Sequence, residues 1–134
     1  MVTFINGLPD KNFYRRFKIK FQKGPNDTAM IKEILSRRLK HKEWPYPDLI
    51  LVDGGRGQLN AALKAKTKVS GLKNIKIISL AKRKNELFIE KRKRSLFLKN
   101  LPKQVSNLFL HLRDEAHRFA IDYHHKLRSK SLIQ

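Results

Sequence analysis

The sequence contains no cysteine, which excludes a disulfide scaffold, a thiolate-held zinc site and thiol catalysis, and fits a reducing compartment. Long apolar runs are missing too. The longest is Leu49–Val52, far short of the ~20 residues that span a bilayer, and the N-terminus carries no apolar signal core. A soluble, non-secreted, cytoplasmic protein with no membrane partner is therefore expected. Acidic residues are scarce: 11 Asp and Glu face 31 Lys and Arg among 134 residues, a formal net charge of +20. Glycine and proline number only 6 and 5, too few for a linker-rich or low-complexity chain.

What is present is enough apolar material to fold. Hydrophobic residues make up 40% of the chain, including eight Phe and three Tyr, well above the level of an unfoldable polyelectrolyte. The length suits one domain of modest core, taken as residues 1–130 with a short tail at 131–134. The excess positive charge needs a polyanion. Nucleic acid is the commonest one, with anionic membrane surfaces and acidic proteins as competing partners.

Along the chain, Val2-Thr3-Phe4-Ile5 has strand character and Asn6-Gly7 supplies a turn. Tyr14–Phe21 alternates apolar and basic residues, which predicts a second strand with one wet face. Gly24-Pro25-Asn26-Asp27 breaks it. Asn26 or Asp27 can cap a helix whose stripe is Met30, Ile31, Ile34, Leu35 and Leu39, ending near His41. Leu49–Val52 is continuously apolar and predicts a strand buried on both faces at the centre of a sheet. Asp53-Gly54-Gly55-Arg56-Gly57-Gln58 then leads into a helix through Leu59, Ala62 and Leu63.

Ile75–Leu80 predicts another buried strand, followed by a basic hairpin from Lys82 to Leu98. After Pro102, apolar residues from Val105 to Leu127 keep helical spacing, predicting a long helix, broken at most once, with a fraying basic end at Lys126–Lys130. Strands first, then strand and helix in alternation, describe a mixed-sheet α/β domain.

In such sheets ligands meet the carboxyl ends of the strands, where Asp53 falls. The plainer alternative is that Asp53 caps the next helix or bonds its own turn. The glycines do not form a Walker loop, since the required Lys and Ser or Thr are absent. On the last helix, Arg113, Asp114 and His117 project to one side. His117 could ligate a metal or act as a general base, or simply pair with Asp114 on the surface. His124 and His125 fit surface or phosphate contacts. The charge run Lys82–Arg94 is either a solvated face or, with Leu87, Phe88 and Ile89 interleaved, a phosphate-backbone track that Tyr14, Arg15, Arg16 and Lys18 could extend.

Four stretches resemble the C-terminal endonuclease half of the bacterial excision-repair protein family UvrC, which has a ribonuclease H-like fold. They are Tyr14–Ile19, Pro47–Ala62, Ser79–Arg83 with Glu86-Leu87-Phe88, and Leu112–Ile121 with His125–Lys130. The resemblance implies a ribonuclease H-like mixed sheet flanked by helices, and a nuclease that cuts damaged double-stranded DNA on the 5′ side of the lesion by metal-assisted phosphodiester hydrolysis. It assigns Asp53 and His117 as catalytic and metal-binding, with Asp27 as a further metal candidate and Mg²⁺ or Mn²⁺ as the ion. Arg15, Arg16, Lys18, Arg56, Lys82, Arg83, Arg113, Arg118, Lys126 and Arg128 are the expected DNA-binding residues, and UvrB with the rest of the excision-repair complex the expected partners.

One departure stands out. The family's first strand carries a Cys-Phe-Asp-Ile-Ser-His type motif whose Asp is a principal metal ligand, and this chain matches only the part of the domain C-terminal to that strand. The resemblance thus implies an N-terminally truncated domain that binds DNA weakly and cuts poorly by itself. A noncatalytic nucleic-acid-binding module is the alternative, and a basic RNA-binding protein is disfavoured by the specificity of the second and fourth stretches.

Overall fold

The computed structural model describes residues 1–17 and 27–133. They form two compact units, one of residues 1–17 with 102–134 and one of residues 18–101.

The 18–101 unit is a mixed α/β layer. Helix α1 (Asp27–Lys40) begins at Asp27, where a helix start was expected; Asn26, the alternative cap, lies outside the described residues. Strand β3 (Leu49–Asp53) leads into α2 (Arg56–Thr67), which returns to β4 (Lys76–Ala81). Next come β5 (Glu86–Ile89) and β6 (Leu96–Phe97), the expected basic hairpin. The sheet order is β3-β4-β5-β6, with β3 and β4 parallel and the other neighbours antiparallel.

β3 therefore stands at the sheet edge among the described residues, which corrects the expectation of a central strand. A continuous apolar run reports burial, not position in the order. Even the burial is partial: Val52 is buried, whereas Leu49 is 40% exposed. β4 is the strand with the fully covered interior, from Ile77 to Leu80.

One face of this sheet carries a core cluster shared with α1 and α2. Leu35 from α1, Val52 from β3, Leu59, Ala62 and Ala65 from α2, and Ile77 from β4 pack together, with Ile31 and Phe88 against them. Leu39, near the end of α1, packs with Leu72 and Ile75, beyond the end of α2. At the other end, a Cβ placed on Gly57 would sit 3.8 Å from the Thr28 methyl. α1 and α2 thus run side by side in the same direction, and both begin at the end of the unit where β3 finishes.

The other unit contains a small hairpin, β1 (Phe4–Ile5) with β2 (Leu8–Pro9), and the long helix α3 (Lys103–Ile133). The Asn6-Gly7 turn forms as predicted, with φ of +53° and +82°. Its second arm is Leu8–Pro9, however, not Tyr14–Phe21. Tyr14–Phe17 has no strand pairing, and Lys18–Phe21 lies outside the described residues. Helix α3 is continuous, without the break allowed for and helical through the basic stretch Lys126–Lys130.

Tyr14 is tied to α3. Its hydroxyl donates to Glu115 Oε1 at 3.1 Å, and its ring meets Phe119 edge-on at 5.2 Å between centroids. Arg118 donates to both oxygens of the same carboxylate, through Nε to Oε2 at 2.9 Å and through a terminal nitrogen to Oε1. The Arg118 hydrogen bond, with help from Tyr14, holds Glu115 down to about 2. Burial and the Glu115 contact push Tyr14 up to about 12.

The two shifts act at opposite ends of the pH scale. A depressed carboxyl stabilises the fold above its ordinary value of 4.5 and loses that contribution as pH falls towards about 2. A raised phenol contributes below its ordinary value of 10.0 and loses it as pH rises towards about 12. Circular-dichroism melts of Glu115→Gln are therefore expected to show a flatter pH dependence below 4.5 than wild type, the range over which the carboxyl shift operates.

Candidate active site

The carboxyl end of the parallel pair β3 and β4 is the natural place for a site, because the strand termini there leave a crevice beneath the following turns. Asp53 is the last residue of β3, lies opposite Leu80 on β4, and is exposed. The Gly54 N–H donates to the Leu80 carbonyl at 3.0 Å, carrying the ladder one residue beyond Asp53. The chain then turns at Gly54, whose φ of +133° is poorly tolerated by any residue with a Cβ.

Two side chains pin this turn. The Gln58 Oε1 accepts the Gly55 N–H at 2.9 Å, an N-terminal cap for α2. Ser79, with no exposed surface, donates its hydroxyl to the Gly55 carbonyl at 3.1 Å. Neither role was assigned from sequence. The signal was there in both cases: Ser79 interrupts the apolar run of β4 and must find a partner when buried, and Gln58 stands three residues after the glycine that starts the helix. Asp53 is thereby fixed by its ladder on one side and a doubly anchored turn on the other.

A methyl group at Gly54 would meet Gln58 Cγ at 2.5 Å and Cβ at 2.9 Å, close to the root of that side chain. Gly54→Ala is therefore expected to cost about 1–3 kcal/mol in urea denaturation, through backbone strain and loss of the Gln58 cap.

The surroundings are cationic. The Arg56 guanidinium lies 5.1 Å over the Phe88 ring and donates to the Lys93 carbonyl at 3.1 Å, so it is held against β5 and the β5–β6 turn. Lys82, Arg83 and Lys84 lie in the β4–β5 turn, with Arg83 exposed, and this turn leaves β4 at the same sheet end as Asp53. Asp27 is exposed on the first turn of α1, at the same end of this unit. The expected Asp53, Asp27, Arg56, Lys82 and Arg83 thus belong to one end of one unit.

The remaining candidates among the described residues fall in the other unit. His117 is partly buried on α3. Asp114 is 3.8 Å from Arg113 Nε, Arg118 binds Glu115, and Lys126 lies 3.4 Å from Asp122. Arg16 is 4.0 Å from Asp122, and Arg15 donates to the carbonyls of Asn12 and Tyr14. Arg128 and His125 are exposed, and Lys18 lies outside the described residues.

Carboxylate oxygens are the right donors for Mg²⁺ or Mn²⁺. Among the described residues no three His, Asp or Glu side chains gather into a metal-holding group. Asp53, with Asp27 at the same end, fits the sparse mode in which Mg²⁺ keeps several waters and takes its remaining ligands from one or two carboxylates and substrate phosphates.

A mixed sheet with one parallel pair, helices packed against it and an Asp closing β3 defines an α/β domain, and this arrangement is consistent with a ribonuclease H-like fold. The chain belongs to the family of the UvrC RNase H endonuclease domain, whose model matches residues 1–121. Among curated relatives, the UvrABC system protein C of Dictyoglomus thermophilum is 45% identical over 134 aligned positions, covering 98% of this chain and 22% of the relative. The protein of the same name from Porphyromonas gingivalis W83 is 46% identical, covering 99% of this chain and 22% of the relative. That of Methanosarcina acetivorans is 46% identical, covering 100% and 26%. The chain spans about a quarter of the length of these relatives. No helix among the described residues is long and apolar enough to cross a membrane.

Proposed function

We propose that this chain contributes to a DNA excision-repair endonuclease, one that cuts the damaged strand 5′ of a lesion by metal-assisted hydrolysis of a phosphodiester. The observation that carries the reading is Asp53, exposed at the carboxyl end of β3 and followed by a turn that Ser79 and Gln58 pin at Gly55, in a chain of the UvrC endonuclease-domain family. When bound, Mg²⁺ or Mn²⁺ polarises a phosphoryl oxygen and lowers the pKa of a coordinated water. Asp53 supplies the carboxylate that holds it, with Asp27 in support.

His117 is the second catalytic group on this reading, by its match to the His of the family's last helix. Arg56, Lys82 and Arg83 draw the phosphate backbone towards Asp53. Damaged double-stranded DNA and UvrB are the partners, in the cytoplasm. With so few oxygen donors gathered among the described residues, the 134-residue chain alone is expected to cut weakly.

The same scarcity of donors favours a second reading, a basic module that binds DNA without cutting it. A lesion-bearing duplex labelled at its 5′ end separates the two. The substrate is offered to the chain alone, and to the Dictyoglomus relative with its matching segment replaced by this one. The endonuclease reading expects a single cut 5′ of the lesion in the second case, dependent on Mg²⁺ or Mn²⁺ and stopped by EDTA. Binding without metal-dependent cutting in both cases selects the module.

A further inference from the structure

The unit of residues 1–17 and 102–134 contains a half-open cleft of about 420 Å³ lined by Lys11, Tyr14, Arg15, Arg16, Arg118, Phe119 and Asp122. Four of those side chains are cationic and one is anionic. From this we infer that the cleft is a binding site for a nucleic-acid backbone phosphate, with the Arg16 guanidinium as its preformed donor and Asp122 as the group the phosphate displaces. The inference deepens the nucleic-acid reading above and rests on it, but it concerns binding and needs neither metal nor Asp53.

The geometry around Arg16 is the basis. Its guanidinium carbon lies 4.7 Å from the centroid of Phe119 and 5.3 Å from that of Tyr123. Packing against two aromatic rings restricts the Arg16 guanidinium, whose planar fork of N–H donors suits a tetrahedral oxyanion. Arg16 reaches Asp122 only at 4.0 Å, and both side chains are well exposed, at 39% and 48%. An ion pair this long and wet is weak. Asp122 is also shared with Lys126, at 3.4 Å.

A phosphate can therefore take the place of Asp122 at little cost. The cleft wall is stiff. Tyr14 and Arg118 are both bonded to Glu115, which stays ionised through the working pH range, and Arg15 is tied to the backbone carbonyls of Asn12 and Tyr14. A site whose donors are already ordered loses little conformational entropy on binding.

The test is fluorescence anisotropy of a labelled DNA duplex with the whole chain in EDTA, so that cutting plays no part, across a series of salt concentrations. Arg16→Ala is expected to weaken binding roughly tenfold and reduce the slope of log K against log salt by about 1, the change produced when one fewer phosphate is neutralised. Arg16→Lys is expected to restore the slope but only part of the affinity, because the charge returns without the planar fork. Asp122→Asn removes the competing carboxylate from an exposed position and is expected to tighten binding about threefold with the slope unchanged.

Affinity and slope unchanged in both Arg16→Ala and Asp122→Asn overturn the proposal. So does a poly-glutamate peptide whose affinity follows the variants while that of DNA does not, since the cleft would then take an acidic protein segment. Loss of cutting on substitution of Asp53, or its retention, leaves this result untouched, so the two readings fail separately.

Discussion

Asp53→Asn is expected to lower metal-dependent strand cutting by about a thousandfold or more, measured in the relative carrying this segment, while changing DNA affinity by less than about twofold. A thousandfold corresponds to about 4 kcal/mol of barrier. That is a reasonable loss when a carboxylate that anchors a Lewis acid is replaced by a neutral amide, because the ion then sits less often and less accurately on the scissile phosphate. The amide keeps the shape of the side chain, and the Gly54 ladder bond and the Ser79 and Gln58 anchors are all made elsewhere. The turn is therefore expected to stay folded, and an unchanged urea midpoint in the variant separates a lost rate from collapse. On the proposed reading DNA affinity comes from the cations, which the substitution leaves in place, and removing a carboxylate among them is not expected to weaken binding. A fall in affinity that matches the fall in rate would make Asp53 a binding residue and remove it from the chemistry.

Leu59→Ala is expected to destabilise the 18–101 unit by about 2–5 kcal/mol in urea denaturation. Leu59 is 1% exposed and joins α2 to Leu35 of α1, Val52 of β3 and Ile77 of β4. Truncation leaves a void where these elements meet, and close-packed backbones relax into such a void only in part. Val52 immediately precedes Asp53, so loosening this cluster also releases the strand that carries the site. Leu49→Ala on the same strand is the comparison. At 40% exposure Leu49 has much less surface to lose, and about 1 kcal/mol or less is expected. Equal costs at the two positions would contradict the packing described.

Much of this arrangement could be read from the residues. The β3–glycine–α2 passage was visible because the apolar run, the paired glycines and the renewed helical spacing each belong to a different conformation and change abruptly at Asp53. The start of α1 and the stripe of α3 came from the same kind of local signal. Strand order did not. Leu49–Val52 has the composition of a central strand yet stands at an edge among the described residues, because apolar content reports coverage of the faces and carries no record of which neighbours bond to the backbone.

The N-terminal hairpin was legible only in part. Its first arm and the Asn6-Gly7 turn were read correctly, but the second arm, Leu8–Pro9, is too short to show alternation, whereas Tyr14–Phe21 alternates well and its first four residues form no strand pair. Contacts between distant residues were also invisible. Tyr14 bonds Glu115 across 101 positions, and nothing in either neighbourhood announces the other. For the site itself, the candidate carboxylate was found by its place after a strand, but its supports, Ser79 and Gln58, needed the fold.

The central claim is that Asp53 is the carboxylate that holds the catalytic metal, and Mn²⁺ titration of the isotopically labelled chain, observed by NMR in the presence of a DNA duplex, tests it most directly. Paramagnetic broadening is expected first at Asp53, Gly54 and Gly55, then at the start of α1 around Asp27 and Thr28, and it is expected to disappear from the first group in Asp53→Asn. Broadening centred elsewhere, or broadening at Gly54 and Gly55 that survives the substitution, would contradict the assignment.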